Sequence, residues 1–177
     1  MSDANPIGET VVAEVRRNFK QSMAKIEHCL AQLSDEQLWW RPREEMNSIA
    51  NLLLHLSGNL RQWLLAGVGG KPDLRNRPAE FADRSRRPKE QVAKILRGTL
   101  ADVDALLARL TPGELLEKRR IQGYDETVLG ALLHTVTHFQ GHVQEIIHMV
   151  REQLGNSYRM EFVPQNEEQL SATGPAL

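Results

Sequence analysis

Residues 131–150, ALLHTVTHFQGHVQEIIHMV, hold four of the six histidines, and His134, His138 and His142 recur every fourth residue. Side chains four apart stack on one face of an α-helix, so neighbouring imidazoles in this series can converge on one point. His-x-x-x-His on a helix binds a transition metal, with a further ligand supplied from elsewhere in the chain. One ion cannot take all three, because His134 and His142 stand about 12 Å apart along a helix axis. His138 belongs to either remaining pair.

At about 100° per residue, Val128, Leu132, Val136, Phe139, Val143, Ile146, Ile147 and Val150 fall in one apolar arc. His142 lies about 40° outside that arc, His138 about 80° and His134 about 120°. The pair nearer the core is therefore His138 and His142, with His134 beside it as a supporting or exposed group. His148 points away from the core. The strongest third ligand is His55, just outside the apolar arc of an earlier helix; His28 is the other option. Three neutral nitrogens with an open position are the pattern of a catalytic site, whereas structural zinc is closed by four protein ligands. Imidazole suits zinc, nickel, copper and iron, and zinc or nickel lead. Glu145 stands near the meridian of His138, where it can orient a ligand or act as the catalytic base. Asn59, one turn beyond His55, is placed to hydrogen-bond a ligand from behind.

The elements that must position these residues follow from periodicity. Apolar residues at Val12, Val15, Phe19, Ile26, Leu30 and Leu33 mark a first helix over residues 8–33. Ser34 to Gln37 form a capping turn and a short extra helix, and Trp39, Trp40 and Pro42 make a rigid connector. Asn47 or Ser48 caps a second helix over residues 48–66, ended by Gly67, Gly69 and Gly70. Residues 67–87 show no sustained period and read as a loop. A loop of that length can span about 66 Å, enough to return along a helix of about 30 Å and set helices two and three parallel. Its basic run Arg84, Arg86, Arg87 and Lys89 offers an anion a foothold. Pro88 opens a third helix over 88–110, broken by Thr111-Pro112-Gly113. Residues 115–124 have no clear period and can be extended. A fourth helix over 127–154, capped by Asp125 or Thr127, stops at Gly155, and the tail 156–177 carries one short helix near 166–170. Four amphipathic helices without convincing strands predict an all-α four-helix bundle, one domain over residues 1–177 with its core in 8–155.

Composition narrows the setting. The chain has 177 residues, 41% hydrophobic and 25% charged, with a formal net charge of −1. That balance gives no electrostatic argument for nucleic acid or an acidic membrane as partner. No apolar run reaches the roughly 20 residues that span a bilayer. The single cysteine, Cys29, rules out an internal disulfide framework and, with a polar N-terminus, points to the cytoplasm.

The stretch WWRPREEMNSIANLLLHLSGNLRQWL and the stretch LLHTVTHFQGH together resemble the DinB-like (YfiT-like) metalloprotein superfamily of bacterial four-helix bundles, over roughly residues 8–155. In the first stretch a tryptophan–proline connector precedes a helix bearing His55; in the second, His138 and His142 occupy the two remaining ligand positions. The resemblance implies an up-down-down-up bundle with a long crossover between helices two and three, and a divalent metal on His55, His138 and His142. It also implies a homodimer and, among characterised activities, S-transfer from a low-molecular-weight thiol to small electrophiles. A metal-dependent hydrolase and a non-catalytic, stress-related metal-binding dimer are the alternatives. The common last-helix pattern HHRGQ is replaced here by Gly141, His142, Val143, Gln144 and Glu145, which leaves both ligand positions intact.

Overall fold

The four long helices begin and end at signals written into the chain. In the computed structural model, which describes residues 6–160, α1 runs Pro6–Leu30. Ser34 then caps the short α2, Asp35–Trp39, with a reciprocal box in which Ser34 Oγ accepts from the Gln37 amide and Gln37 accepts from that of Ser34. The same device opens α3, Ile49–Leu60, where Ser48 rather than Asn47 is the cap and Asn51 closes the box. α5 runs Lys89–Leu107, with Pro88 in the capping position, and α6 runs Val128–Leu154. Thr127 caps α6 by accepting from the Gly130 amide, and Gly155 at φ 52° ends it.

Three stretches differ from expectation. The second helix does not continue as α-helix to residue 66: after Leu60 its ladder widens into a π-helical segment, Arg61–Val68, closed by Gly69 and Gly70. The crossover is not structureless, because Arg77–Ala82 form a short helix, α4, capped by Asn76 with Pro78 in its first turn. Six residues are too few to display a helical period. Between α5 and α6 the extended chain expected within 115–124 pairs, where no strand pairing is expected, as an antiparallel hairpin of β1 (Lys118–Ile121) and β2 (Tyr124–Thr127), preceded by a 3₁₀ turn at Pro112–Leu116. Gln122 and Gly123, at φ 52° and 86°, form its two-residue turn, the left-handed pair that matches strand twist. Four-residue strands are likewise too short to alternate visibly. The short helix expected at 166–170 lies outside the described residues.

Contacts between named residues fix the helix directions. Arg16 meets Asp104 and Glu27 meets Arg97, so α1 and α5 are antiparallel. Phe19 packs on Phe139 at 5.5 Å and His28 meets the Arg159 carbonyl, so α1 and α6 are parallel. Ser57 bonds Thr99 and Gly69 approaches Leu106, which makes α3 parallel to α5; His55 meets His142 and Trp63 meets His134, which makes α3 antiparallel to α6. The result is an all-α, up-down-down-up bundle with the order α1–α6–α3–α5 around its axis. One core runs through it, with Ile26, Leu52, Leu56, Leu96, Leu132 and Phe139 among its fully buried side chains. α3 is buried nearly all round, its polar Asn51, His55, Ser57 and Asn59 included, because the crossover covers its outer face. No helix among the described residues is long and apolar enough to cross a membrane.

Candidate metal centre

His55 stands in the second turn of α3, and His138 and His142 stand one turn apart at the middle of α6. Because the two helices are antiparallel neighbours, His55 faces both. One ring nitrogen from each residue forms a set whose members all lie within 4.8 Å of one another. Nε2 of His55 and Nε2 of His138 are 3.0 Å apart. Two imidazole lone pairs do not face each other at that distance without a proton or a cation between them. Tetrahedral ligands at zinc–nitrogen distances stand about 3.4 Å apart, so the three histidines can coordinate a metal after small side-chain shifts. His55 is 4% exposed, and His138 and His142 are half-buried, so the cluster is sheltered on the α3 side and open on the α6 side.

Two carboxylates occupy the far sides of these rings. Nδ1–H of His55 donates to Glu80 Oε2 at 3.0 Å, and Nδ1–H of His142 donates to Glu145 Oε2 at 2.7 Å. Each bond fixes the tautomer that leaves the lone pair on Nε2. Burial, and then the neighbouring His142, His55, His134 and Arg75, push the His138 pKa down from 6.5 to about 4. At neutral pH His138 is thus in the form that ligates.

Glu80 comes from α4 in the crossover and is held from three sides. Arg75 forks onto it, Nε to Oε1 at 2.8 Å and Nη2 to Oε2 at 2.9 Å, and this pair is almost fully buried. Burial raises the Glu80 pKa, but the hydrogen bonds from Arg75 and His55 outweigh it and hold the carboxyl below its usual range. Phe81 packs its ring 4.8 Å from that of His55. Buried Asn51 fastens the end of α4 to α3, donating from Nδ2 to the carbonyls of Glu80 at 2.8 Å and Asp83 at 3.2 Å. Gln62, in the π-helical segment, accepts from Arg75 Nη1 at 2.9 Å.

The residues singled out in the sequence divide as follows. His55, His138 and His142 come together. His134 stays outside the cluster, exposed, its ring stacked 3.9 Å from that of Trp63. Glu145 meets His142 rather than His138. Asn59 is buried, but it makes no hydrogen bond to a histidine among the described residues; the position behind His55 is taken by Glu80. His28 is remote, bonded to the Arg159 carbonyl and Gln32, and His148 is exposed. The basic run of the crossover is largely consumed internally: Arg84 and Arg87 bond within 81–87, and Lys89 ties off the carbonyls of Leu30 and Leu33.

Glu80, Arg75 and Gly58 are missing from the sequence reading. One signal for them exists. A glycine inside a leucine-rich helix, as in LLLHLSGNL, marks a close approach, and here the Arg75–Glu80 pair is what approaches Gly58.

An all-α bundle of this topology, consistent with the DinB-like (YfiT-like) grouping, carrying a histidine cluster able to chelate a divalent ion, defines the class. The chain belongs to the family described as protein of unknown function (DUF1572), which it matches over residues 6–167. No curated protein matches it.

Proposed function

We propose that the protein is a divalent-metal-dependent enzyme whose ion, zinc or nickel, is held by His55, His138 and His142, and that it transfers a small thiol to an electrophile. The reading is carried by one observation: three imidazole nitrogens within 4.8 Å, two of them with the opposite ring nitrogen bonded to a carboxylate. A three-nitrogen set leaves room at the ion for a ligand from solution. A divalent ion so held supplies a Lewis acid that lowers the pKa of a bound thiol or water toward neutrality.

The chain's own groups do the rest. Glu80 holds His55 with Nε2 facing inward, and the buried Arg75 keeps Glu80 ionised. Glu145 orients His142 and, being partly exposed, takes up the proton that a thiol releases. His134 and Trp63 form a flat aromatic flank beside His138, against which an organic substrate can lie. Thiol transfer is preferred over hydrolysis because the two sequence stretches around the ligands resemble the DinB-like superfamily, whose characterised members include thiol S-transferases.

Elemental analysis of the purified wild type against His55→Ala and His142→Ala tests the site: stoichiometric metal in the wild type and loss in both variants is expected, and equal metal in all three overturns it. Thiol consumption by the zinc- or nickel-loaded protein, with glutathione, bacillithiol or mycothiol and a panel of electrophiles, tests the reaction. Metal-dependent consumption is expected; none with any thiol removes the transferase reading, and metal-dependent ester or amide cleavage replaces it with hydrolysis.

A further inference from the structure

Asn51, His55, Gly58 and Gln62 recur at intervals of four, three and four, so they share one face of α3 and of the π-helical segment that prolongs it. The first three meet Glu80 of the crossover. Gln62, at the end of the stripe, gathers other segments instead. Its Oε1 accepts from Arg75 Nη1 at 2.9 Å and from Nε2 of Gln122, and its Nε2 donates to Asp73 Oδ2 at 2.7 Å. An arginine side chain only donates and a carboxylate only accepts, so the Gln62 amide fits one way round. Asp73 in turn accepts from the Arg75 backbone amide at 3.1 Å.

Gln122 is an unusual residue for its place. It stands at φ 52° in the first position of the hairpin turn, where glycine, asparagine and aspartate are favoured and the left-handed backbone penalises other side chains. The strained residue is the one whose side chain reaches Gln62.

These bonds converge on His55. Nδ1 of that ring has two neighbours of opposite character, the acceptor Glu80 Oε2 at 3.0 Å and the donor Arg75 Nη2 at 3.1 Å. With the carboxylate as partner, the proton stays on Nδ1 and the lone pair on Nε2. With the guanidinium as partner, the proton moves to Nε2, which then cannot ligate. Arg75 Nη2 is occupied by Glu80 Oε2 at 2.9 Å and Nη1 by Gln62, so both terminal nitrogens of the guanidinium are fixed.

We infer that Gln62, anchored by Asp73 and Gln122, is a positioning residue: it holds the Arg75 fork on Glu80 and thereby keeps the His55 proton on Nδ1. Its use to the protein rests on the metal reading; its test does not.

Long-range proton–nitrogen NMR of the metal-free full chain reads the His55 tautomer, with the signals assigned by their loss in His55→Ala. The wild type should show the Nδ1–H form, and Gln62→Leu a mixture of both forms, with zinc affinity lower by about tenfold in a competition assay. Gln122→Gly, at an exposed position, relieves the turn. Its thermal unfolding should stay level or rise, while the tautomer and the zinc affinity shift in the same direction as in Gln62→Leu. A merely structural role for Gln122 would move stability and leave the tautomer alone. The Nδ1–H form persisting undiminished in Gln62→Leu overturns the inference, and zinc still bound by the wild type would leave the metal centre standing. A tautomer shift in a protein that binds no zinc would remove the metal reading and uphold the positioning.

Discussion

The carboxylate of Glu80 rests on the bare backbone of Gly58. A Cβ at position 58 would fall 2.6 Å from Glu80 Cδ and 3.1 Å from Arg75 Nε, closer than real packing allows for the first of these. Gly58 is one turn past His55 on α3, so the glycine opens the gap through which the crossover reaches the back of that imidazole. The absence of a side chain at 58 thereby helps set the tautomer of His55.

Gly58→Ala should therefore weaken metal binding without unfolding the protein. The new methyl displaces Glu80 from His55, while alanine returns up to about 1 kcal/mol of helix propensity to α3. Chelator competition for zinc should show a loss of about tenfold, with thermal unfolding little changed. Unchanged affinity would mean that Glu80 can yield and still hold His55.

Glu80→Gln removes the charge but keeps the shape. Arg75 is then a buried cation without a counter-ion, which costs about 3–5 kcal/mol of folding stability. Metal affinity should fall by about 10–100-fold. Denaturant unfolding of the metal-free protein and zinc competition measure the two effects separately. Glu145→Gln should cost less on both counts, because the Glu145 side chain is 46% exposed.

The metal-free protein should lose stability as the pH falls from about 6.5 to about 4. His138 has a folded pKa of about 4 against 6.5 for an unperturbed imidazole, so in that interval the unfolded chain binds the extra proton. Stability is complete above 6.5 and declines through the window as the unfolded chain takes up the proton that folded His138 resists. Urea midpoints at pH 7.5, 5.5 and 4.5 should fall in that order, and His138→Gln should flatten the dependence.

His134→Ala should leave metal content unchanged, since that ring stands outside the cluster. It should alter tryptophan fluorescence, because the imidazole stacks on Trp63 at 3.9 Å. Loss of metal in this variant would move the ligand pair from His138 and His142 to His134 and His138.

Much of the bundle could be read residue by residue. The periods of α1, α3, α5 and α6 are long enough to show, and Ser34, Ser48, Thr127 and Gly155 act at the ends where local chemistry predicts a cap or a stop. The choice among three equally spaced histidines was also legible, because rotation about a helix and distance from its apolar arc are properties of one segment. Periodicity carries the second helix to residue 66 as α-helix, and nothing in RQWLLAGV announces the wider hydrogen-bond ladder that the fold adopts there. Position one turn away points to Asn59 as the partner of His55, yet a segment about 25 residues further along the chain supplies a carboxylate instead.

The sequence by itself determined four amphipathic helices and three histidines on the shoulders of two of them, since both depend on 3.6-residue geometry within a segment. Only the tertiary structure decided what stands behind those histidines. Glu80 and Arg75 sit in a stretch without periodicity, and their approach depends on Asn51 fastening α4 to α3 and on the space left at Gly58. Hydrogen bonds between distant segments leave no period in a sequence, so the wall behind the histidine cluster appears only when the chain is folded.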